Sequence, residues 1–186
     1  MRVGLLADTH VPDRQAELPR ALFRAFDGVE HILHAGDITQ PFVLEELGAL
    51  APVTAVRGDW DAAGLHLPQR LTVELGGRRI GLIHGRRPRV AELPPFLLSL
   101  LTRRLWTPGL DRWLLNNFRE DRVDVIVYGH LHRPRRALVD GVWLINPGGA
   151  WTGPFERWIK PVVSPTVAIL ETESLAVRFI PLSEGE

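Results

Sequence analysis

Close to its N-terminus the chain reads Val3-Gly4-Leu5-Leu6-Ala7-Asp8-Thr9-His10, an apolar run of strand length that stops on a carboxylate and an imidazole. The same arrangement recurs downstream. His31–Ala35 runs into Gly36-Asp37, and Val53–Arg57 into Gly58-Asp59-Trp60-Asp61. Arg79–His84 closes on His84-Gly85, and Val123–Tyr128 on Gly129-His130-Leu131-His132. Helix-period segments lie between these runs. Glu17–Phe26 places Leu18, Ala21, Leu22, Ala25 and Phe26 at spacings of three and four, and Pro41 opens a segment through Leu50 where its missing N–H costs nothing. Strands alternating with helices predict an α/β sandwich. In open sheets the loops leaving the strand ends meet at one edge, the usual place for a site.

The remaining elements are less regular. Leu71–Leu75 and Arg79–His84 flank Gly76-Gly77 and read as a hairpin, as do Ala137–Val139 and Val142–Ile145 around Asp140-Gly141. Val167–Leu170 and Ala176–Ile180 read as closing strands. Residues 86–122 break the pattern: Pro94-Pro95 is expected to open an apolar helix reaching about Trp106, Pro108-Gly109 to end it, and Asp111 to start a second through Glu120. Trp106, Leu110, Trp113 and Leu114 are expected to pack this helical pair on the sheet. With no repeat, linker or low-complexity tract, the expectation is a single domain over residues 1–186.

Composition narrows the chemistry. The 186 residues contain no Cys, which excludes disulfides and thiolate sites and leaves imidazole, carboxylate and amide oxygen as metal ligands. Carboxylates and imidazoles gathered from five loops would repel unless cations sat between them. Gly36, Gly58, Gly85 and Gly129 beside them permit tight turns and close backbone approach. This ligand set suits Mn, Fe, Zn or Mg. Lys plus Arg and Asp plus Glu both number 22, so no global field favours nucleic acid or a membrane. The zero is an average, since residues 78–136 carry 13 basic and 5 acidic side chains. Asp8 breaks the N-terminal apolar stretch before it could serve as a signal peptide, and Leu93–Leu101 is too short to span a bilayer. The expectation is a cytoplasmic protein with no membrane partner and no bulk nucleic-acid binding.

Together the clusters Asp8-Thr9-His10, His34-Ala35-Gly36-Asp37, His84-Gly85, Tyr128-Gly129-His130-Leu131-His132-Arg133-Pro134 and Ile145-Asn146-Pro147-Gly148 resemble the calcineurin-like metallophosphoesterase superfamily, in particular its small bacterial and archaeal phosphodiesterases. The resemblance implies a four-layer αββα sandwich with an inserted helical pair at about 86–122. It implies a phosphoesterase, most readily a phosphodiesterase, in which a hydroxide bridging two divalent ions attacks a small anionic phosphate ester. Asp8, His10 and His132 would hold one ion, Asp59, His84 and His130 the other, with Asp37 shared; Asp37, Asp59, His84 and His130 would serve catalysis. Mn²⁺ leads, with Mg²⁺, Fe²⁺, Zn²⁺ and Ni²⁺ as alternatives. The competing readings are a phosphomonoesterase or nucleotide pyrophosphatase, and a non-catalytic protein-binding scaffold of the same fold.

The chain departs from the family pattern at two positions. Asp59 stands where Asn is usual: two divalent ions, three Asp and a hydroxide sum to zero, and Asn would leave one positive charge. Trp60 stands where wider superfamily phosphatases place a His resembling a general acid, which favours good leaving groups. His34, in a strand, is expected to support the site without ligating, and His31 and His66 to be ordinary polar positions. Asp61 is expected either to orient a ligating His or to cap a turn. Most arginines of 86–136 read as a solvated face, with Arg86 the candidate for contact with substrate.

Overall fold

The computed structural model describes residues 1–182. Ten strands form two five-stranded sheets. The first has the order β10-β9-β1-β2-β3, with β1 (Arg2–Leu6), β2 (His31–His34) and β3 (Val53–Ala55) parallel, and β9 (Thr166–Glu171) and β10 (Ala176–Pro181) antiparallel. The second has the order β4-β5-β6-β8-β7, in which β5 (Arg78–Ile83), β6 (Val125–Tyr128) and β8 (Val142–Pro147) run parallel, flanked by antiparallel β4 (Arg70–Leu75) and β7 (Pro134–Val139).

Strand alternation builds the layers. Val3 and Leu5 of β1, Ile80 and Leu82 of β5, and Val125 and Val127 of β6 point between the sheets and form one buried cluster. Leu6 and Ile32 face outward onto α1 (Arg20–Ala25) and α2 (Pro41–Gly48), packing with Leu22, Phe26, Val43 and Leu47. On the opposite side Ile83, Ile126 and Tyr128 pack with Leu110, Leu114 and Phe118 of α4 (Leu110–Asn117) and its C-cap. The result is the αββα order that the resemblance implied. Each sheet has a glycine beneath a helix-borne phenyl ring: a Cβ on Gly4 would lie 3.1 Å from Phe26, and one on Gly81 2.7 Å from Phe118. Any larger residue there would lift its helix off the sheet.

The stretch between β5 and β6 differs from the expectation. α3 spans Arg89–Thr102, so Pro94 and Pro95 lie inside it rather than at its start. Its N-terminus is set by Pro88, whose carbonyl accepts from Ala91 and Glu92, and by Glu92, whose carboxylate takes the Arg87 N–H and Nε–H. Two internal prolines remove two helix hydrogen bonds, and Ser99, on the buried face of the same helix, donates to the Pro95 carbonyl and accepts from the Trp106 N–H, tying the helix to the chain that follows it. Leu110 and Leu114 are core residues, whereas Trp106 is exposed. β7 begins at Pro134, earlier than its sequence suggested, because Arg135 and Arg136 are strand residues: one pairs with Asp111, the other lies 3.6 Å over the Trp143 ring. The short helix α5 (Pro154–Trp158) was not anticipated.

Candidate metal centre

The loops after β1, β2, β3, β5 and β6 meet at one edge between the sheets. Asp8, His10 and His132 bring one ligand atom each within 4.8 Å of one another; so do Asp59, His84 and His130, and so do Asp8, Asp37 and His84. Asp37 lies between the first two groups, its Oδ2 being 3.6 Å from His10 Nε2 and 3.4 Å from His84 Nε2. All seven residues singled out from the sequence are therefore neighbours.

The local backbone shows what gathering them demands. Asp8, His10, Asp37, His130 and His132 all have left-handed φ angles, between 51° and 67°. For residues with a Cβ this conformation costs about 1–3 kcal/mol each, and it persists only where surrounding contacts impose it. Those contacts are visible. The Asp8 N–H donates to the Gly36 carbonyl and the His10 N–H to that of Asp37, tying the first loop to the second. The His130 N–H donates to the Asp8 carboxylate, tying the last loop to the first. Asp61 is the clamp of the third loop: its carboxylate accepts from the N–H groups of Ile38, Thr39 and Gly58 and touches no ligand imidazole. Gly58 is required for a different reason, since a Cβ there would fall 2.0 Å from the Asp37 nitrogen.

Two of the four imidazoles, His84 and His132, are aimed by their second nitrogen. His84 Nδ1 meets the Ala35 carbonyl at 2.8 Å, which directs Nε2 into the cluster, where that buried atom has no hydrogen-bond partner. His132 Nδ1 faces the Trp151 carbonyl at 3.2 Å and Glu156 at 3.7 Å, leaving Nε2 toward Asp8 and His10. Carbonyl- and carboxylate-oriented imidazoles are the usual supports of a metal site. His34 lies beneath as expected, its Nε2 3.3 Å from the Thr9 hydroxyl, and burial pushes its pKa down to about 3, so it is neutral. His31 bonds Thr54 at 2.8 Å, and His66 is exposed.

The electrostatics fit cations. Burial favours protonation of the three carboxylates but is overcome, by His132 and His84 at Asp8, by His84 and the Trp60 N–H at Asp37, and by His84 and His130 at Asp59, so all three are held below the usual carboxylate range. Burial disfavours charge on His132 and His84, yet Asp8 and Glu156 raise His132 to about 9, and Asp37 and Asp59 raise His84 well above its ordinary value. His10, dominated by burial, and His130, by burial and His84, are pushed down. Each group thus holds one imidazole primed to carry positive charge and one that is neutral. The donor set fits a divalent ion in place of that proton, which would give the unpartnered His84 Nε2 a partner and the facing Nε2 atoms of His10 and His132, 3.4 Å apart, a shared one.

Around this centre lie Arg86, expected from the sequence to contact substrate, and two residues that the sequence did not place at the site, Arg14 and Glu156. Arg86 reaches Asp59 at 3.0 Å, so the extra negative charge of Asp59 has a counter-charge in the same loop cluster. The guanidinium of Arg14 lies 5.0 Å from the Trp60 ring and 5.7 Å from the Trp151 ring, at the mouth of a pocket lined by His10, Asp37, His130 and His132. Nothing in the sequence of the Arg14 loop signals this, because the two aromatic rings come from distant segments. Glu156 had a signal: Gly153-Pro154 followed by an acid at the third helical position marks a helix start, and Glu156 indeed accepts the Gly153 N–H. Three other arginines of 86–136 are structural. Arg87 is buried against Glu92, Arg133 donates to the carbonyls of Ile159 and Pro161, and Arg135 is bidentate to Asp111.

Comparison with known proteins agrees with the fold and with the family. Residues 1–175 match the model of the calcineurin-like phosphoesterase superfamily domain. A probable metallophosphoesterase of Methanothermobacter thermautotrophicus is 40% identical over 149 residues, covering 80% of this chain and 76% of the relative. A phosphodiesterase of Methanocaldococcus jannaschii is 27% identical over 200 residues, covering 98% and 99%. Among solved structures, Vps29 of Entamoeba histolytica complexed with Zn²⁺ superposes with a TM-score of 0.71 at 23% identity, covering 100% of this chain and 95% of that one, which is a likeness of fold.

Proposed function

The chain belongs to the calcineurin-like phosphoesterase superfamily, and from that premise we propose that it hydrolyses small anionic phosphate esters, phosphodiesters first, at a centre of two divalent ions. The observation that carries the reading is Asp37: its carboxylate stands between two groups, each of one Asp and two His, that approach from different loops. Asp8, His10 and His132 would hold one ion and Asp59, His84 and His130 the other. Mn²⁺ is the first ion to test. Ions bound there would polarise phosphoryl oxygens and make water a nucleophile at neutral pH.

The protein's own residues do the rest. The Trp60 N–H, 2.9 Å from Asp37 Oδ1, fixes the carboxylate plane, and the Ala35 and Trp151 carbonyls fix the His84 and His132 rings. Arg14 lines the same pocket as His10, Asp37, His130 and His132, and as a cation held near two aromatic rings it would bind ester charge. The indole N–H of Trp60 is too weak an acid to protonate a leaving group, which keeps the preference for esters with good leaving groups. Arg86 neutralises Asp59 locally, so the substitution of Asp for Asn costs the site less attraction for an anion than a count of ligand charges suggests.

Purified protein loaded with Mn²⁺ is expected to hold two ions per chain and to hydrolyse an activated phosphodiester faster than the matching monoester. Asp37→Asn is the control. A protein that binds no metal and has no Asp37-dependent activity would leave the scaffold reading standing.

A further inference from the structure

Helix α3 is inside out. Val90, Leu93, Leu97 and Leu101, at spacings of three and four, form one stripe along it and are 86%, 57%, 50% and 83% exposed. Pro94 and Leu98 flank the stripe and are exposed too, while the face turned to the protein carries Pro95, Ser99 and the Arg87-bound Glu92. An amphipathic helix normally buries its leucines; this one buries its serine. A contiguous apolar surface of this kind marks an interaction site.

The chemistry of the stripe selects its occupant. From Val90 to Leu101 the outward positions offer no hydrogen-bonding side chain, whereas a protein interface of ordinary composition carries roughly one hydrogen bond per 100–200 Å². Arg89 begins the helix and Arg103 and Arg104 follow it, and among the described residues neither Arg89 nor Arg104 has a carboxylate within salt-bridge distance. A two-fold pairing with a second copy would set arginine against arginine, whether the helices ran antiparallel or parallel. Hydrocarbon beneath the stripe and anionic headgroups at the two ends satisfy both features. The apolar surface also continues into the pocket of the metal centre, where Phe96 of α3 stacks on Phe155 at 5.2 Å and Trp106 and Leu131 complete the wall.

We propose that α3 seats the protein on an anionic lipid surface, its leucine stripe in the hydrocarbon and its terminal arginines at the headgroups, and that the Asp/His pocket acts on a phosphoester bearing an apolar tail. The second half rests on the phosphoesterase reading; the first does not. This departs from the expectation of no membrane partner, which came from a net charge of zero averaged over the whole chain and from apolar runs, Leu93–Leu101 among them, too short to span a bilayer. No helix among the described residues is long and apolar enough to cross a membrane, so the contact is a surface one.

Co-sedimentation with phosphatidylglycerol vesicles, in the presence of a chelator, tests the docking without any need for metal. Wild type should sediment with them and not with phosphatidylcholine vesicles. Leu97→Ser combined with Leu101→Ser, both side chains being in solvent, should lower binding by roughly a hundredfold with an unchanged melting temperature. In parallel, dodecyl phosphate and butyl phosphate are compared as inhibitors of soluble phosphodiester hydrolysis, with the long chain expected to inhibit at least ten times more tightly. Hydrolysis of the soluble diester with no vesicle binding, or with inhibition independent of chain length, overturns the lipid proposal and leaves the phosphoesterase. Vesicle binding without diester hydrolysis overturns the phosphoesterase reading and leaves the docking. Self-association abolished by the same leucine changes, with no vesicle binding, assigns the stripe to a second copy instead.

Discussion

The two candidate ligand groups have the same composition, one Asp and two His, in different surroundings. Asp8, His10 and His132 are buried, with Asp8 fully enclosed and His132 backed by Glu156. In the other group only His84 is buried to that degree: the side chains of Asp59 and His130 are 24% and 26% exposed, and Asp59 leans on Arg86. Burial strengthens every charge interaction and makes an unpaired charge costly. The inner group is therefore held more firmly by the fold, although His10 and His132 line the pocket beside His130, whereas the outer group is the more exposed and adjustable. Of the two departures from the family pattern, Asp59 belongs to the outer group, whereas Trp60 lines the pocket with His10 and His132 and holds the shared Asp37.

The largest test removes what joins the groups. Asp37→Asn should lower kcat with Mn²⁺ by roughly a thousandfold, several kcal/mol of lost charge stabilisation, and reduce the ions bound per chain. Equal loss from both groups fits a shared carboxylate; loss from one alone would break the comparison. Next comes the inner group. Glu156→Gln should weaken one metal equivalent about 10–100-fold in a calorimetric titration and leave the other unchanged. Weakening of both would show that the groups are not separable.

On the outer side Asp59→Asn should change kcat/KM by no more than about tenfold, because it strands Arg86 as it removes the carboxylate; adding Arg86→Ala should return most of the difference in a double-mutant cycle. Additive effects would mean that the ion pair does not tune the site. The smallest effect is expected at the pocket mouth. Arg14→Ala should raise KM roughly fivefold with kcat nearly unchanged, as expected for a residue that binds substrate and transition state alike. A fall in kcat instead would place Arg14 closer to the reacting phosphorus.

Much of this was legible in sequence because ligands at strand ends leave a local signature: an apolar run that stops on a carboxylate or imidazole, with a glycine beside it at Asp37, Asp59, His84 and His130. Asp8, Asp37, Asp59, His84 and His130 could each be read from the preceding five residues. Arg14 could not, since its partners Trp60 and Trp151 lie 46 and 137 positions away in the sequence. α3 misled for a related reason. Its leucines carry the period of a buried helix, and periodicity states which residues share a face without stating which way the face points.

By itself the sequence determined the order of strands and helices, the polar clusters and their place at strand ends, because hydrophobic periodicity and turn chemistry act over a few residues. Only the tertiary structure decided how those clusters divide into an inner and an outer group, that Arg86 answers Asp59, that Glu156 backs His132, and that α3 turns its leucines outward. Those outcomes depend on contacts between segments far apart in the chain, where burial and the balance of charges are settled by packing rather than by neighbours in sequence.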